Sequence, residues 1–168
     1  YEASASDIAS ALFDNWETWE EDRFGRQMWV ETGERLTRES FARYREIGGR
    51  LISFSRTEEM TRTALRHPLT MIASDGRILD GKGHPRSAGS FSKVLGRYVR
   101  EQQVIGLMDA LRRMTIEPAK RLEAFVPAMA NKGRIRVGAD ADITVFDPDT
   151  ILDQATYLEP TRASVGIV

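Results

Sequence analysis

The sequence predicts an α/β fold, on three observations. Between residues 37 and 101 the patterns run helix, strand, helix, strand, loop, helix, the alternation expected of a parallel sheet covered by helices. The apolar run Leu69-Thr70-Met71-Ile72-Ala73 gives way without transition to Ser74-Asp75-Gly76 and a glycine-rich loop, as a buried strand does when it opens into a polar loop. After Pro127 the apolar residues switch to two-residue alternation, which belongs to a β-hairpin and not to another β/α unit.

Taken in order, Ser6-Asp7 reads as a helix cap followed by Ile8, Leu12, Phe13, Trp16 and Trp19 at helical spacing, an aromatic stripe of the kind that packs a core. Glu17, Glu20, Glu21 and Asp22 read as a solvated face, and Phe24–Val30 as a short extended piece. Thr37 caps the next helix, with Leu36 and Phe41 at hydrophobic-staple positions, Tyr44 and Ile47 on the same face, and Gly48-Gly49 as the stop. Leu51–Phe54 alternates as a strand. Thr57 caps a helix with Glu58 and Glu59 in its first turn, and that helix ends before Pro68. The strand at 69–74 follows. Phe91, Val94, Leu95, Tyr98 and Val99 then define an amphipathic helix, Leu107, Ala110, Leu111 and Met114 another, and Glu117-Pro118 starts a short third. Residues 133–137 and 142–147 alternate around a Gly138-Ala139-Asp140 turn and predict a β-hairpin, with a loop-like tail from Asp149. A boundary between two units falls near 127–133.

Bulk properties narrow the class. The chain has 168 residues, 41% hydrophobic and 29% charged, which is the composition of one folded unit. Its 24 basic and 25 acidic residues leave a formal charge of −1, so nothing favours nucleic acid as a partner. Cysteine is absent, which excludes disulfides, thiol catalysis and zinc ribbons and fits a reducing, cytoplasmic compartment. No apolar run is long enough to span a bilayer and no signal-peptide pattern occurs, so no membrane association is expected.

Asp75 therefore sits at the carboxyl end of an expected parallel strand, where α/β proteins place their chemistry. Ser-Asp-Gly is equally ordinary turn chemistry, so position alone leaves both readings open. Of the two histidines, His67 precedes the strand, about 25 Å from Asp75 at the rise of an extended chain. It is expected to be structural. His84 and Arg86 fall on the functional side. A hydrolytic metal site needs about three protein ligands, often histidines, and two histidines do not supply them. The chain also starts at Tyr1 without methionine, and it is expected to be part of something larger.

Four blocks carry a resemblance: Ser74-Asp75-Gly76; Gly83-His84-Pro85-Arg86-Ser87; Val94-Leu95-Gly96-Arg97-Tyr98-Val99-Arg100-Glu101; and Lys132-Gly133-Arg134-Ile135 through Asp142-Ile143-Thr144-Val145-Phe146-Asp147-Pro148. In these, from about residue 35 onward, the chain resembles the C-terminal part of the amidohydrolase superfamily, and within it the N-acyl-D-amino-acid deacylase (D-aminoacylase) branch. The resemblance implies the C-terminal part of a metal-dependent hydrolase (β/α) barrel over residues 1–127, with its last strand near 69–74, and β-strands of a small flanking β-sandwich over 133–168. It implies that Asp75 is the catalytic aspartate beside a zinc ion, a possible metal ligand that takes a proton from the nucleophilic water and returns it to the leaving amine. Arg86 matches the arginine for the substrate carboxylate, while His84 is a candidate for shaping the loop or contacting the substrate, and Ser87 and Gly76 for contacting it.

The family's His-x-His near the first strand and its later metal ligands have no counterpart in this sequence. On the resemblance, the partners are then a small N-acyl amino acid and either the remainder of a parent barrel or another copy of the chain. The expected reaction is metal-dependent hydrolysis of an N-acyl-D-amino acid to a carboxylate and a D-amino acid. A cyclic-amide hydrolase of hydantoinase or dihydroorotase type is an alternative within enzymes, and a non-catalytic assembly module lacking the metal ligands is the alternative outside them.

Overall fold

The structure is a computed structural model and describes residues 1–168. Its largest sheet is built around β3 (Arg50–Ser53), which lies between β1 (Ser4–Asp7) and β2 (Gln27–Trp29). Both neighbours run antiparallel to β3, with Ile52 opposite Ala5 on one side and Met28 on the other. The expected strand at 51–54 is therefore present within a residue, but the parallel sheet is not. The helix expected after Asp7 is absent as well. Asp7 accepts the Ala9 N–H at 2.8 Å, a local turn that competes with helix, and the segment passes through two 3-10 turns, Ala11–Phe13 and Trp16–Thr18. The apolar spacing is satisfied all the same: Ile8, Phe13 and Trp19 are buried, whereas Leu12 is exposed.

Those side chains form the first core with Phe24, Trp29, Leu36, Phe41 and Leu51. Phe41 is its hub, with ring centroids 5.2 Å from Trp19 and 5.5 Å from Phe24, spacings at which tilted and edge-to-face aromatics attract. Phe41 is placed there by α2 (Arg38–Ile47). Thr37 and Ser40 cap that helix reciprocally, Leu36 and Phe41 close the staple, and Gly48 ends it at a φ of +76° that favours glycine. The short α1 (Glu21–Gly25) keeps its acidic residues in solvent, as expected, with Arg38 paired to Glu21 at 2.6 Å.

The second core joins Leu65 and Ile72 to Val94, Leu95, Tyr98, Ile105, Ala110 and Ile151. Leu65 belongs to α3 (Glu58–Arg66), capped by Thr57 as its sequence predicts. Next come a small hairpin, β4 (Ile78–Leu79) and β5 (Lys82–Gly83), and then α4 (Arg86–Lys93), which continues as a π-helix over Val94–Glu101. α5 (Leu107–Met114) and α6 (Ile116–Leu122) complete the set. The tail lies along α4 and its continuation. A Cβ on Gly89 would meet the Asp153 carboxylate, and one on Gly96 would lie 2.5 Å from the Ile151 carbonyl, so these two glycines let the strap pack down.

Two expected β elements do not form. Residues 69–74 make no strand ladder, because no other strand of this chain lies beside them and an unpaired strand leaves its backbone groups without partners. Residues 133–147 form no hairpin. Ile135 is 96% exposed and Val137 fully so, with Ile143 and Val145 also in solvent, and a two-stranded hairpin with nothing to cover its apolar face is marginal. What remains are isolated bridges, Phe146 to Ile167 and Leu152 to Val165.

Candidate active site

The candidate site is the turn that follows residues 69–74, facing the start of α4. Asp75 occupies positive φ, +46°, a conformation that aspartate tolerates better than most residues. Gly76 next to it packs flat on Ser87, since a Cβ there would lie 2.4 Å from Ser87 Cα. The chain then turns through Asp80 and Gly81, both at positive φ (+50° and +74°), which is the two-residue hairpin geometry that Asp-Gly favours. The Asp80-Gly81 dipeptide was the signal for β4 and β5, a hairpin that the alternation of apolar residues does not mark.

The return strand delivers His84-Pro85-Arg86, and Arg86 Nη2 reaches Asp75 Oδ2 at 3.0 Å. Asp75 is 87% exposed and Arg86 18%, so the pair stands at the mouth of the turn and contributes about 0–1 kcal/mol to the fold. Arg86 Nε and Ser87 Oγ are buried without a hydrogen-bond partner. Two such atoms on adjacent residues are unusual in a native site and mark unused polar capacity. Asp75, Gly76, Arg86 and Ser87 are thus brought together as the sequence suggested.

His84 is not with them. It is 1% exposed, behind the turn, where it donates from Nε2 to the Ala3 carbonyl at 3.2 Å and accepts the Arg86 N–H on Nδ1 at 3.1 Å. A carbonyl only accepts and an amide N–H only donates, so these partners assign the neutral ring with its proton on Nε2. Tyr1 and Tyr157 flank the ring edge-on, each at 5.3 Å. Of the two roles expected for His84, shaping the loop or contacting the substrate, the structure shows the first: His84 holds the first N–H of α4, and through it Arg86. Burial, reinforced by the Arg86 cation, pushes its pKa from the usual 6.5 down to about 3. The neutral form is favoured by folding, so this contribution to stability is complete above pH 6.5 and is lost as the pH falls from 6.5 towards 3. The ring proton resonances of His84 are accordingly expected to stay at their neutral positions between pH 7 and 4 by NMR; a His84 midpoint near 6.5 would contradict the buried geometry.

His67 ends α3 and is exposed, with its Nδ1 accepting the Leu69 N–H. A cavity of about 280 Å³ is lined by Tyr1, Leu65, Thr70, Ile72, Ser90 and Lys93 among others, but by neither Asp75 nor Arg86. Lys93, one of its walls, pairs with Glu2 at 3.4 Å and covers the Tyr1 ring; no local pattern in the sequence singles it out. The residues present do not make a zinc site. No three histidine, aspartate or glutamate side chains converge, and both His84 nitrogens are engaged.

The fold and this turn define a class. The chain matches the amidohydrolase family over residues 18–168, and it belongs to that family. Among individual proteins it is 46% identical over 116 residues to the N-acyl-D-glutamate deacylase of Alcaligenes xylosoxydans xylosoxydans, covering 69% of this chain and 23% of that enzyme. The crystal structure of N-acyl-D-glutamate deacylase from Bordetella bronchiseptica, complexed with zinc and a phosphonate mimic of the tetrahedral intermediate, superposes with a TM-score of 0.79 at 35% identity, over 100% of this chain and 36% of that one. D-aminoacylase gives 0.73 at 29% identity, over 99% and 36%. The chain thus spans less than a quarter of the Alcaligenes enzyme's length and about a third of either solved chain. No helix is long and apolar enough to cross a membrane.

Proposed function

We propose that this chain supplies the catalytic-aspartate turn of a metal-dependent deacylase that hydrolyses N-acyl-D-amino acids to a carboxylate and a free D-amino acid. The observation that carries the reading is the Asp75–Arg86 pair at 3.0 Å, beside the unpartnered Arg86 Nε and Ser87 Oγ, in a chain whose relatives are named as deacylases of N-acyl-D-amino acids. Arg86 binds the substrate carboxylate through a fork of donors suited to two oxygens. Asp75, freed of part of its own pairing, takes a proton from the water whose oxygen adds to the amide carbon. The C–N bond then breaks as Asp75 returns that proton to the departing nitrogen, leaving amine and carboxylate. The zinc is held by ligands outside this chain.

The same reading assigns residues 1–127 to the barrel and 133–168 to the small β-sandwich, in a cytoplasmic enzyme that the cysteine-free composition suits. Support comes from apolar side chains left open at alternating positions, Leu69 and Met71 at 83% and 41% exposure, then Ile135, Val137, Ile143 and Val145. These are faces that partner strands from the rest of a parent barrel would cover.

The test is a substrate panel on the complete protein containing this chain. N-acetyl-D-glutamate and other N-acyl-D-amino acids are expected to be hydrolysed, their L-isomers not, with activity lost on chelation and restored by zinc. Opening of a hydantoin or dihydroorotate ring with no cleavage of linear amides would replace this reading by a cyclic-amide hydrolase, and inactivity of the zinc-loaded protein on both would leave an assembly module.

A further inference from the structure

We infer that Arg113 is a positioning residue for Asp75, fixing the segment that delivers the aspartate at both of its ends; the inference rests on the role proposed above for Asp75. α3 stops at Arg66, two residues before Pro68, and a helix end leaves carbonyls without intrahelical partners. Arg113, one residue before the end of α5, reaches across to two of these. Its Nη1 donates to the carbonyls of Leu65 and of His67, each at 2.8 Å. Its Nη2 pairs with Asp109 Oδ2 one turn earlier on the same helix at 2.7 Å. The side chain is 6% exposed, so the fork is held in one orientation.

The same residue grips the segment again from its main chain. The Ile72 N–H donates to the Arg113 carbonyl at 3.1 Å; beside the local bond from the Thr70 N–H to the His67 carbonyl, this is the one backbone hydrogen bond that ties residues 69–74 to a residue distant in sequence. Within this chain the segment has no strand ladder, and between α3 and the turn it is held by Arg113 at residues 65, 67 and 72, by local bonds of Leu69 and Thr70 to His67, and by burial of Ile72 in the second core. Strands of a parent barrel would add to this hold, and Arg113 still joins the segment to α3 and α5. Asp75 lies three residues beyond the last anchor. A lysine cannot reproduce this arrangement: an ammonium is a point charge without a planar fork that meets two carbonyls and a carboxylate at once.

The experiment compares Arg113→Lys, Arg113→Ala and Asp75→Asn in the complete enzyme, with kcat and KM normalised to bound metal and with amide hydrogen exchange by mass spectrometry. In both Arg113 variants kcat is expected to fall by roughly ten- to a hundredfold, the scale on which small displacements of a reacting group act, while KM changes less than twofold. Exchange across residues 69–75 is expected to quicken at least tenfold and that of α2 to stay unchanged. Wild-type kcat in both variants, beside an inactive Asp75→Asn, would overturn the inference while leaving the proposed function intact. An equal quickening of exchange in α2 would overturn it too, since Arg113 would then serve global stability only. Full activity in Asp75→Asn would remove the role of Asp75 itself, and the inference with it.

Discussion

Asp75→Asn is expected to lower kcat of the complete enzyme by about two to four orders of magnitude, the usual worth of a positioned proton carrier, with little change in stability. The two halves of that expectation have separate origins in the structure. Asparagine matches aspartate in shape, tolerates the positive φ of +46° found at this position, and keeps an oxygen that accepts from Arg86. The side chain is 87% exposed, so exchanging an ion pair for a neutral hydrogen bond costs the fold at most about 1 kcal/mol. What asparagine lacks is a basic oxygen to take the water's proton. Steady-state kinetics together with a thermal midpoint separate the cases: a fall in kcat at unchanged midpoint fits the proton-carrier role, and undiminished hydrolysis would take Asp75 out of the mechanism.

Local chemistry was the legible part of this chain. Thr37 with Leu36 and Phe41, Thr57 with its two glutamates, and the spacing of Leu107, Ala110 and Leu111 each specify a helix from within a few residues, and each helix is where the pattern puts it. Strand 50–53 was legible as a strand, but its direction depends on which strands lie beside it, and no local pattern encodes that. Ile8, Phe13 and Trp19 show the opposite failure: their burial was readable from spacing, while the backbone that achieves it was not, because two 3-10 turns bury these three and leave Leu12 of the same stripe in solvent. Residues 69–74 and 133–147 carry strand patterns that no ladder in this structure satisfies, the first because no strand lies beside it and the second because nothing covers its apolar side chains. In the site, the proximity of Asp75 and Arg86 was anticipated from their places on one loop. The burial of His84 was not, because it depends on Ala3 and Tyr157, 81 residues before it and 73 after it; a histidine in a glycine-rich loop looks the same whether it faces ligand or core.

Arg86→Met is expected to raise KM for N-acyl-D-amino acids by about a hundredfold or more. Each charge-assisted hydrogen bond is worth about 1.5–3 kcal/mol, and every 1.4 kcal/mol is a factor of ten, so losing two donors to a carboxylate predicts a change of roughly that size or larger. The guanidinium has the capacity for such a ligand: one nitrogen is committed to Asp75 at 3.0 Å, while Nε is buried and unpartnered beside the equally unpartnered Ser87 Oγ. Methionine keeps much of the apolar stem and removes only the fork, and the Arg86 N–H that His84 holds is a backbone group, so α4 keeps its start. Arg86→Lys retains charge without the fork and is expected to fall between wild type and methionine. An N-acyl-D-amino-acid amide, which has no carboxylate, supplies the control: wild type and Arg86→Met should hydrolyse it with similar KM. If the methionine variant instead lost kcat at unchanged KM on both substrates, Arg86 would be acting on Asp75 and not on the substrate, and the 3.0 Å pair would be part of the proton-carrying device itself.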